Sequence, residues 1–251
     1  MRLTVIGASG SYPGPESPAS CYLLESEHDG RTWRVLVDLG SGALGVLQRH
    51  VDPVSVDGVL LSHLHADHCL DLCGFYVLRK YHPTGAQPRI PVWGPEGTAV
   101  RMAKAYDLDE DPGMNEEVDF RPYAGRVEIG PFTVTATEVA HPVTAYGLRI
   151  EADGRVLAYS GDTGICEPLV ATARDADLFL CEASFVEGHS NPPDLHLTGA
   201  EAGRTATDAR ARRLVLTHVP PWHDPQVMLR EAATTYDGPL ELAEPGKTYE
   251  V

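Results

Sequence analysis

Three histidines and one aspartate fall within six consecutive positions of this 251-residue chain, in the motif His63-Leu64-His65-Ala66-Asp67-His68. Imidazole and carboxylate groups are the side chains that hold divalent transition metals in catalytic sites. The motif follows the apolar run Val59-Leu60-Leu61, which predicts a buried strand. Burying four such groups without partners would cost several kcal/mol each. The motif therefore predicts a metal site.

The spacing within the motif divides its ligands into two pairs. In an extended segment, positions i and i+2 face the same way, so His63 and His65 can share one metal. Asp67 and His68 stand where a helix is predicted to begin and can turn toward a second metal nearby. A polar loop with coincidental histidines is the alternative, and this spacing rarely arises by chance.

Three further candidate ligands each follow a β-like run elsewhere in the chain. They are His141 after the run 132–140, Asp162 after the run 155–160, and His218 after the run 214–217. Ligands at strand ends are held by a rigid scaffold, which preorganises a metal site. Each alone would be interpreted as a capping or hydrogen-bonded surface residue, and their repeated placement at strand ends favours the metal site.

Together these motifs resemble those of the metallo-β-lactamase-fold hydrolases, over essentially the whole chain. The resemblance implies two divalent metal ions that share Asp162, usually zinc, although manganese or iron occur in this fold. The implied ligands are His63, His65, His141 and Asp162 for one metal, and Asp67, His68, Asp162 and His218 for the other. The implied fold is α+β, a four-layer αββα sandwich of the metallo-β-lactamase type, formed as a single domain over residues 1–251.

Two more segments point to the phosphodiesterase and ribonuclease Z-like branch. Cys181-Glu182-Ala183-Ser184-Phe185 and Asp194-Leu195-His196-Leu197-Thr198 are similar to motifs of the tRNA 3′-processing endonucleases. Longer strings, among them Leu216-Thr217-His218-Val219-Pro220-Pro221-Trp222, resemble the actinobacterial atypical class II cyclic-nucleotide phosphodiesterases. The resemblance therefore implies hydrolysis of a phosphodiester.

The same resemblance suggests roles for three residues. Asp67 would orient the attacking hydroxide, and His196 would protonate the departing O3′ while Glu182 holds its imidazole. From the residues alone, His196 could equally be a helix-cap residue before Thr198, and the resemblance favours the catalytic role. For Trp222 the favoured interpretation is a packed indole beside an exposed histidine, with stacking on a nucleobase as the alternative.

Composition restricts the partners. The formal net charge is −16 and there is no run of Lys or Arg. Because binding to nucleic acid depends on basic side chains that neutralise phosphates, a large RNA is less favoured than a small phosphodiester. No stretch of about 18 apolar residues predicts a membrane span. Five cysteines and no signal-peptide pattern indicate reduced thiols and a cytoplasmic protein.

Local patterns predict several elements that surround these motifs. We expect one helix over 67–81, a second from Pro95 to about Tyr106, and a flexible surface insertion over 107–119. The turn at Asp153-Gly154 predicts a hairpin. Thr198 and Glu201 have the spacing of a capping box at the start of a helix.

The leading hypothesis is a dinuclear-metal phosphodiesterase that opens 3′,5′-cyclic nucleotides through a metal-bridging hydroxide. One alternative is a tRNA 3′-processing endonuclease of the ribonuclease Z type, although no extended basic or Gly/Pro-rich arm lies between Asp162 and His218. Another is a thioester or lactone hydrolase of the same fold, which would not need Glu182 and His196. A binding module that retained the fold is disfavoured by the complete ligand set. Relatives in this family are commonly homodimers, so a homodimer is also expected.

Overall fold

The computed structural model describes every residue from 1 to 251, and its strands form two seven-stranded sheets. In spatial order, the first sheet contains β14 (Thr248–Glu250), β1 (Arg2–Gly7), β2 (Cys21–His28), β3 (Arg31–Val37), β4 (Gly58–Leu60), β5 (Ile90–Gly94) and β6 (Val118–Pro122). The second contains β13 (Leu240–Leu242), β12 (Leu214–Thr217), β11 (Leu178–Glu182), β10 (Arg155–Tyr159), β9 (Tyr146–Ala152), β8 (Phe132–Glu138) and β7 (Arg126–Ile129).

Helices cover the outer face of each sheet. They are α1 (Ala43–Leu47), α2 (Ala66–Cys69), α3 (Leu72–Lys80), α4 (Thr98–Ala105), α5 (Glu167–Ala173), α6 (Gly199–Ala209) and α7 (Pro225–Ala232). The first four pack on the first sheet and the last three on the second. The four-layer αββα sandwich expected from the sequence is therefore confirmed.

Alternation along the strands builds the three apolar layers between these elements. In β3, Val35 and Val37 face the core between the sheets, whereas Leu36 faces the helices of the first sheet. In β11, Leu178 and Leu180 face the core between the sheets and Phe179 faces the helices of the second sheet. Because successive side chains point to opposite faces, a buried strand must be apolar at nearly every position.

Parallel pairing brings several strand ends to the same edge of the sandwich. Strands β3, β4, β5 and β6 run parallel in the first sheet, and β10, β11, β12 and β13 run parallel in the second. Ligands bind outside the carboxyl ends of such strands in open α/β sheets. The metal-site candidates at 62–68, 162 and 218 all follow strands of these two groups.

Several predicted elements differ in detail. The helix over 67–81 is broken into α2 and α3, because the N–H of Asp71 donates to the carbonyl of Leu39 instead of continuing the first helix. The helix near Pro95 begins only at Thr98, after Gly97 adopts a left-handed conformation. The segment predicted as a flexible surface insertion, 107–119, is exposed over 109–112 but is anchored by the buried side chains of Met114 and Glu117, so only part of it lies on the surface.

Other local predictions are confirmed. Asp153 and Gly154 both have positive φ in the turn between β9 and β10, as a two-residue hairpin requires. The capping box forms, with the hydroxyl of Thr198 accepting from the N–H of Glu201 and the carboxylate of Glu201 accepting from the N–H of Thr198. Separately, none of the helices combines the length and the apolar composition of a membrane span.

Candidate metal centre

Three imidazoles and one carboxylate converge at the end of β4. Nε2 of His63 lies 3.0 Å from Nδ1 of His65, which in turn lies 3.3 Å from Nε2 of His141. Oδ2 of Asp162 completes the group at 3.6 Å from Nε2 of His63. Zn–N bonds of 2.0–2.1 Å in tetrahedral geometry place neighbouring nitrogens about 3.3 Å apart, so the spacing fits one cation among these atoms.

A second group of the same kind adjoins the first. Nε2 of His68 and Nε2 of His218 lie 3.1 Å apart, and Oδ2 of Asp67 lies 3.1 Å from the latter nitrogen. Oδ1 of Asp162 lies 3.2 Å from Nε2 of His68 and 3.4 Å from Nε2 of His218. Every sequence-predicted metal ligand is thus in one of two adjoining groups.

Asp162 connects the two groups, with one carboxylate oxygen facing each. Its side chain is only 3% exposed, and Oδ1 accepts no hydrogen bond from the protein. An unsatisfied buried carboxylate oxygen among ring nitrogens is costly unless a cation lies there. The donor set, nitrogen and carboxylate oxygen, fits a pair of zinc ions or similar divalent cations.

Burial sets the protonation state of the first group. It lowers the pKa of His63 well below its ordinary value and lowers the pKa of His65 and His141 as well, in each case mainly by desolvating the charged imidazolium. These imidazoles are therefore neutral near pH 7. The neutral imidazole is the form that binds a metal.

A buried carboxylate that the sequence analysis missed orients His68. Asp38 is 0% exposed and accepts from Nδ1 of His68 at 2.7 Å, from both the N–H and the hydroxyl of Ser62, and from the hydroxyl of Tyr159. Because Nδ1 carries the proton, the lone pair of Nε2 faces the second group. Asp38 follows β3 directly, so the strand-end signal that marked Asp162 was present here too.

A similar chain of hydrogen bonds orients His218. Its Nδ1 lies 2.9 Å from the hydroxyl of Ser184, which in turn donates to Oε2 of Glu182 at 2.8 Å. The proton therefore resides on Nδ1, and Nε2 remains free toward Asp67 and Asp162. Ser184 lies within the segment 181–185 that marked the phosphodiesterase branch, but its own role was not predicted.

The candidate acid His196 lies at the edge of the second group. Its Nδ1 donates to Oε1 of Glu182 at 3.0 Å and lies 3.9 Å from Oδ2 of Asp162. Burial disfavours the imidazolium, but the Glu182 carboxylate outweighs that effect and raises the pKa of His196 to about 9. Its ring is 13% exposed, so it borders both the ligand groups and solvent.

Glu182 is itself completely buried, yet its charge is satisfied. Besides His196 and Ser184, it accepts from the backbone N–H of Thr163 at 2.7 Å. Three donors on a buried carboxylate compensate the loss of water around it. The arrangement fixes the imidazole of His196 rather than leaving it as a simple helix-cap residue.

Close backbone approach holds the loops of the site together. A Cβ on Gly40 would lie 2.0 Å from the carbonyl oxygen of Asp67, and a Cβ on Gly10 would lie 2.2 Å from the carbonyl oxygen of His218. Both positions therefore require glycine. His218 has a φ of 56°, a left-handed conformation that is uncommon for such a residue and typical of functional turns.

The interpretation of Trp222 as a packed indole is wrong. Its side chain is 58% exposed and touches Tyr12, with ring centroids 5.3 Å apart. His223, in contrast, is half-buried. Cys69 is buried next to the motif, and its thiol donates to the carbonyl of His65.

Comparison with known proteins supports the same classification. Residues 33–219 match the family described as the β-lactamase superfamily domain. The uncharacterized protein Rv1339 of Mycobacterium tuberculosis is 46% identical over 260 aligned positions, which cover 100% of this chain and 92% of that protein.

Two more distant relatives carry names that describe a fold or an activity. The crystal structure of the metallo-β-lactamase-fold protein YhfI from Bacillus subtilis has a TM-score of 0.87 and 27% identity, covering 99% of both chains. A ribonuclease Z of Myxococcus xanthus is 29% identical over 306 aligned positions, which cover 100% of this chain and 98% of that protein.

Proposed function

The chain belongs to the β-lactamase superfamily and is a metallo-hydrolase, and from that premise we propose that it is a dinuclear-metal phosphodiesterase that opens 3′,5′-cyclic nucleotides. We further propose that the cations are zinc and that His63, His65, His141 and Asp162 hold one while Asp67, His68, Asp162 and His218 hold the other.

The observation that carries the proposal is the ion pair between His196 and Glu182 beside the ligand groups. Ligand groups alone would serve any hydrolase of this fold. A proton donor held at their edge is needed when the leaving group is a poor one, such as the alkoxide O3′ of a ribose. Oriented by the buried carboxylate, Nε2 of His196 is the group that would deliver this proton.

The remaining chemistry follows from the other residues. When bound, two divalent cations supply a nucleophile from water at neutral pH and neutralise the charge of the phosphodiester. Oδ2 of Asp67 lies among the second ligand group, whereas no hydrogen bond from the protein reaches its Oδ1. Oδ1 would therefore be free to accept a hydrogen bond from the attacking water or hydroxide and to orient it toward phosphorus.

The size and charge of the chain favour a small substrate over RNA. The alignment with the Myxococcus ribonuclease Z spans 306 positions, whereas this chain has only 251 residues, so the ribonuclease carries segments that are absent here. The net charge of −16 opposes the approach of a polyanion. Processing of tRNA 3′ ends remains the second candidate, because that relative aligns over the whole chain.

An activity panel with metal-loaded protein tests the proposal. We expect turnover of cAMP, cGMP and bis(p-nitrophenyl) phosphate, and no cleavage of precursor tRNA under the same conditions. A thioester and a lactone belong in the same panel, because hydrolysis of either without any phosphodiester activity would place the chain in the third class of candidates.

Two results would reject the proposed function. One is the absence of turnover with all three phosphodiesters in protein whose metal content has been verified. The other is cleavage of precursor tRNA at a kcat/KM well above that for any cyclic nucleotide. The single domain, the homodimer and the cytoplasmic location stay predictions from the sequence.

A further inference from the structure

A cleft opens beside the metal centre on the side of His65. Its volume is about 430 Å³, and it lies between the loop that follows β4 and the loop that follows His141, with the start of α4 at its end. Sites for small molecules typically have volumes of roughly 300–1,000 Å³. Because His65 forms part of its wall, anything bound in this cleft lies next to the ligand groups.

Part of the cleft wall is apolar. Leu64 and Pro95 contribute to it, and so does Val143, which is 41% exposed although it is a large aliphatic residue. Val143 stands only two positions after the metal-ligand candidate His141. Apolar walls with a few polar groups are typical of a site that binds the flat, weakly polar part of a ligand.

Two charged side chains of opposite sign border the same cleft. Arg101 and Glu96 are both exposed, and neither forms an ion pair within 4.0 Å or a side-chain hydrogen bond, although many other arginines of the chain are paired with carboxylates. In a chain with a net charge of −16, an unpaired guanidinium beside the metal centre is free to bind a ligand.

We propose that this cleft is the subsite for the purine base of the cyclic nucleotide, an inference that rests on the proposed function. The guanidinium of Arg101 donates to the acceptor edge of the base, which in guanine consists of O6 and N7. The carboxylate of Glu96 accepts from ring and exocyclic N–H groups, and Val143 with Leu64 covers the apolar faces.

The pairing of charges favours a base over a second phosphate. A phosphate in the cleft would gain from Arg101 but would be repelled by Glu96 and by the acidic chain as a whole. Guanine presents the acceptors O6 and N7 on one edge and the donors N1–H and N2–H on the adjoining edge, so both side chains find partners. On the edge that faces Arg101, guanine has two acceptors and adenine has only N7, and guanine is therefore the preferred base.

The exposed pair Tyr12 and Trp222 is the competing position for the base. It lies beside the turn that contains His218, where Gly10 contacts the backbone of that ligand. Aromatic stacking there would tolerate any base, whereas Arg101 and Glu96 would discriminate among bases. The two positions therefore predict different selectivity.

The test compares Arg101→Gln and Glu96→Gln with Arg204→Gln, which removes an exposed arginine of α6 that lies outside the cleft. The substrates are cGMP, cAMP and the base-free 1-O-methylribose 3,5-cyclic phosphate. We expect Arg101→Gln to raise the KM for cGMP about tenfold, the size of one charge-assisted hydrogen bond, with a smaller rise for cAMP. The rise for the base-free substrate should be at least fivefold smaller, and kcat should change less than KM.

Binding of guanosine and adenosine, measured by calorimetry on the metal-loaded protein, separates this inference from the proposed function. We expect guanosine to bind more tightly than adenosine and Arg101→Gln to remove the difference. If the protein hydrolysed no phosphodiester, the proposed function would fail, and guanosine binding would still decide whether the cleft accepts a base.

Three results would overturn the subsite. One is an equal rise in KM for cGMP and for the base-free substrate, which would mean that Arg101 acts on the phosphate. Another is a base-dependent loss in Trp222→Ala with none in the cleft variants. The last is the absence of measurable guanosine binding to the wild-type protein.

Discussion

The candidate metal centre and the exposed rim around it, which includes Arg101 and Trp222, differ in how their side chains are held. In the centre, Asp38, Glu182 and Asp162 are buried, and each orienting hydrogen bond fixes which ring nitrogen is free. On the rim, Arg101 and Trp222 are exposed and make no such bonds. On the proposed function, we expect the buried residues to determine which reaction occurs and the exposed residues to determine which substrate is held.

Removing the residue shared by both ligand groups should have the largest effect. We expect Asp162→Ala to lower kcat at least about 10³-fold, because the electrostatic stabilisation of the phosphodiester is lost with the metals. Elemental analysis of the purified variant should show fewer than one metal per chain. Asp208→Ala, an exposed aspartate of α6, is the matched control and should behave as wild type. Retention of two metals in Asp162→Ala would contradict the shared-ligand arrangement.

Two aromatic truncations compare the packing of the core with that of the rim. Phe132 is 0% exposed between the sheets, so Phe132→Ala should reduce the free energy of unfolding by about 3–5 kcal/mol. Trp222→Ala should change it by less than about 0.5 kcal/mol, because the indole is 58% exposed. Denaturant titration measures both. A loss of several kcal/mol in Trp222→Ala would show that the indole contributes to the stability of the fold.

Asp38, which accepts a hydrogen bond from Nδ1 of His68, is expected to strengthen metal binding without touching the metal itself. Asp38→Asn should weaken binding of the metals about 10–100-fold, since outer-shell partners of ligating histidines have effects of that size. Competition with a chelator gives the affinity. Tyr159→Phe removes one donor to the same carboxylate and leaves His68 untouched, so it should show a much smaller loss. Equal losses in the two variants would indicate a general packing defect.

The smallest effect is expected at the cap of α6, just beyond His196. Thr198→Ala removes the hydroxyl that accepts from the N–H of Glu201 and should cost about 1 kcal/mol of stability. Thermal unfolding of wild type and variant would measure it. Thr198→Ser keeps the hydroxyl and should recover most of the loss, and failure to do so would mean that the methyl group, not the cap, carries the effect.

More of the buried centre than of the rim could be predicted from the sequence. Candidate ligands such as Asp162 and His218 follow apolar runs, and that local pattern is sufficient to place them at strand ends. Asp38 follows the same pattern but was missed, because a single aspartate after a strand gives no hint of which histidine it will meet. Only the parallel pairing of β3 with β4 in the sheet brings it to His68.

The rim could not be predicted because its geometry depends on contacts between loops distant in sequence. Trp222 was expected to pack, since most tryptophans do, but its loop is held by Gly10 so that the indole faces solvent. Arg101 and His65 border the same cleft because α4 and the loop that follows β4 come together in the fold, and no periodicity in either segment predicts this proximity. The broken helix at Asp71 has the same cause, a backbone contact with Leu39.

The activity lost when His196 is replaced should depend on the leaving group of the substrate. This dependence tests the role of His196 most directly. His196→Gln should lower kcat/KM for cAMP about 10²–10⁴-fold, because O3′ departs poorly without a proton. For bis(p-nitrophenyl) phosphate, whose leaving group is stable as an anion, the loss should be less than about tenfold. His189→Gln, at an exposed histidine of the preceding loop, serves as the control. A clear difference between the two substrates is the predicted result, and equal losses for both would contradict the account of His196 as the proton donor of a phosphodiesterase.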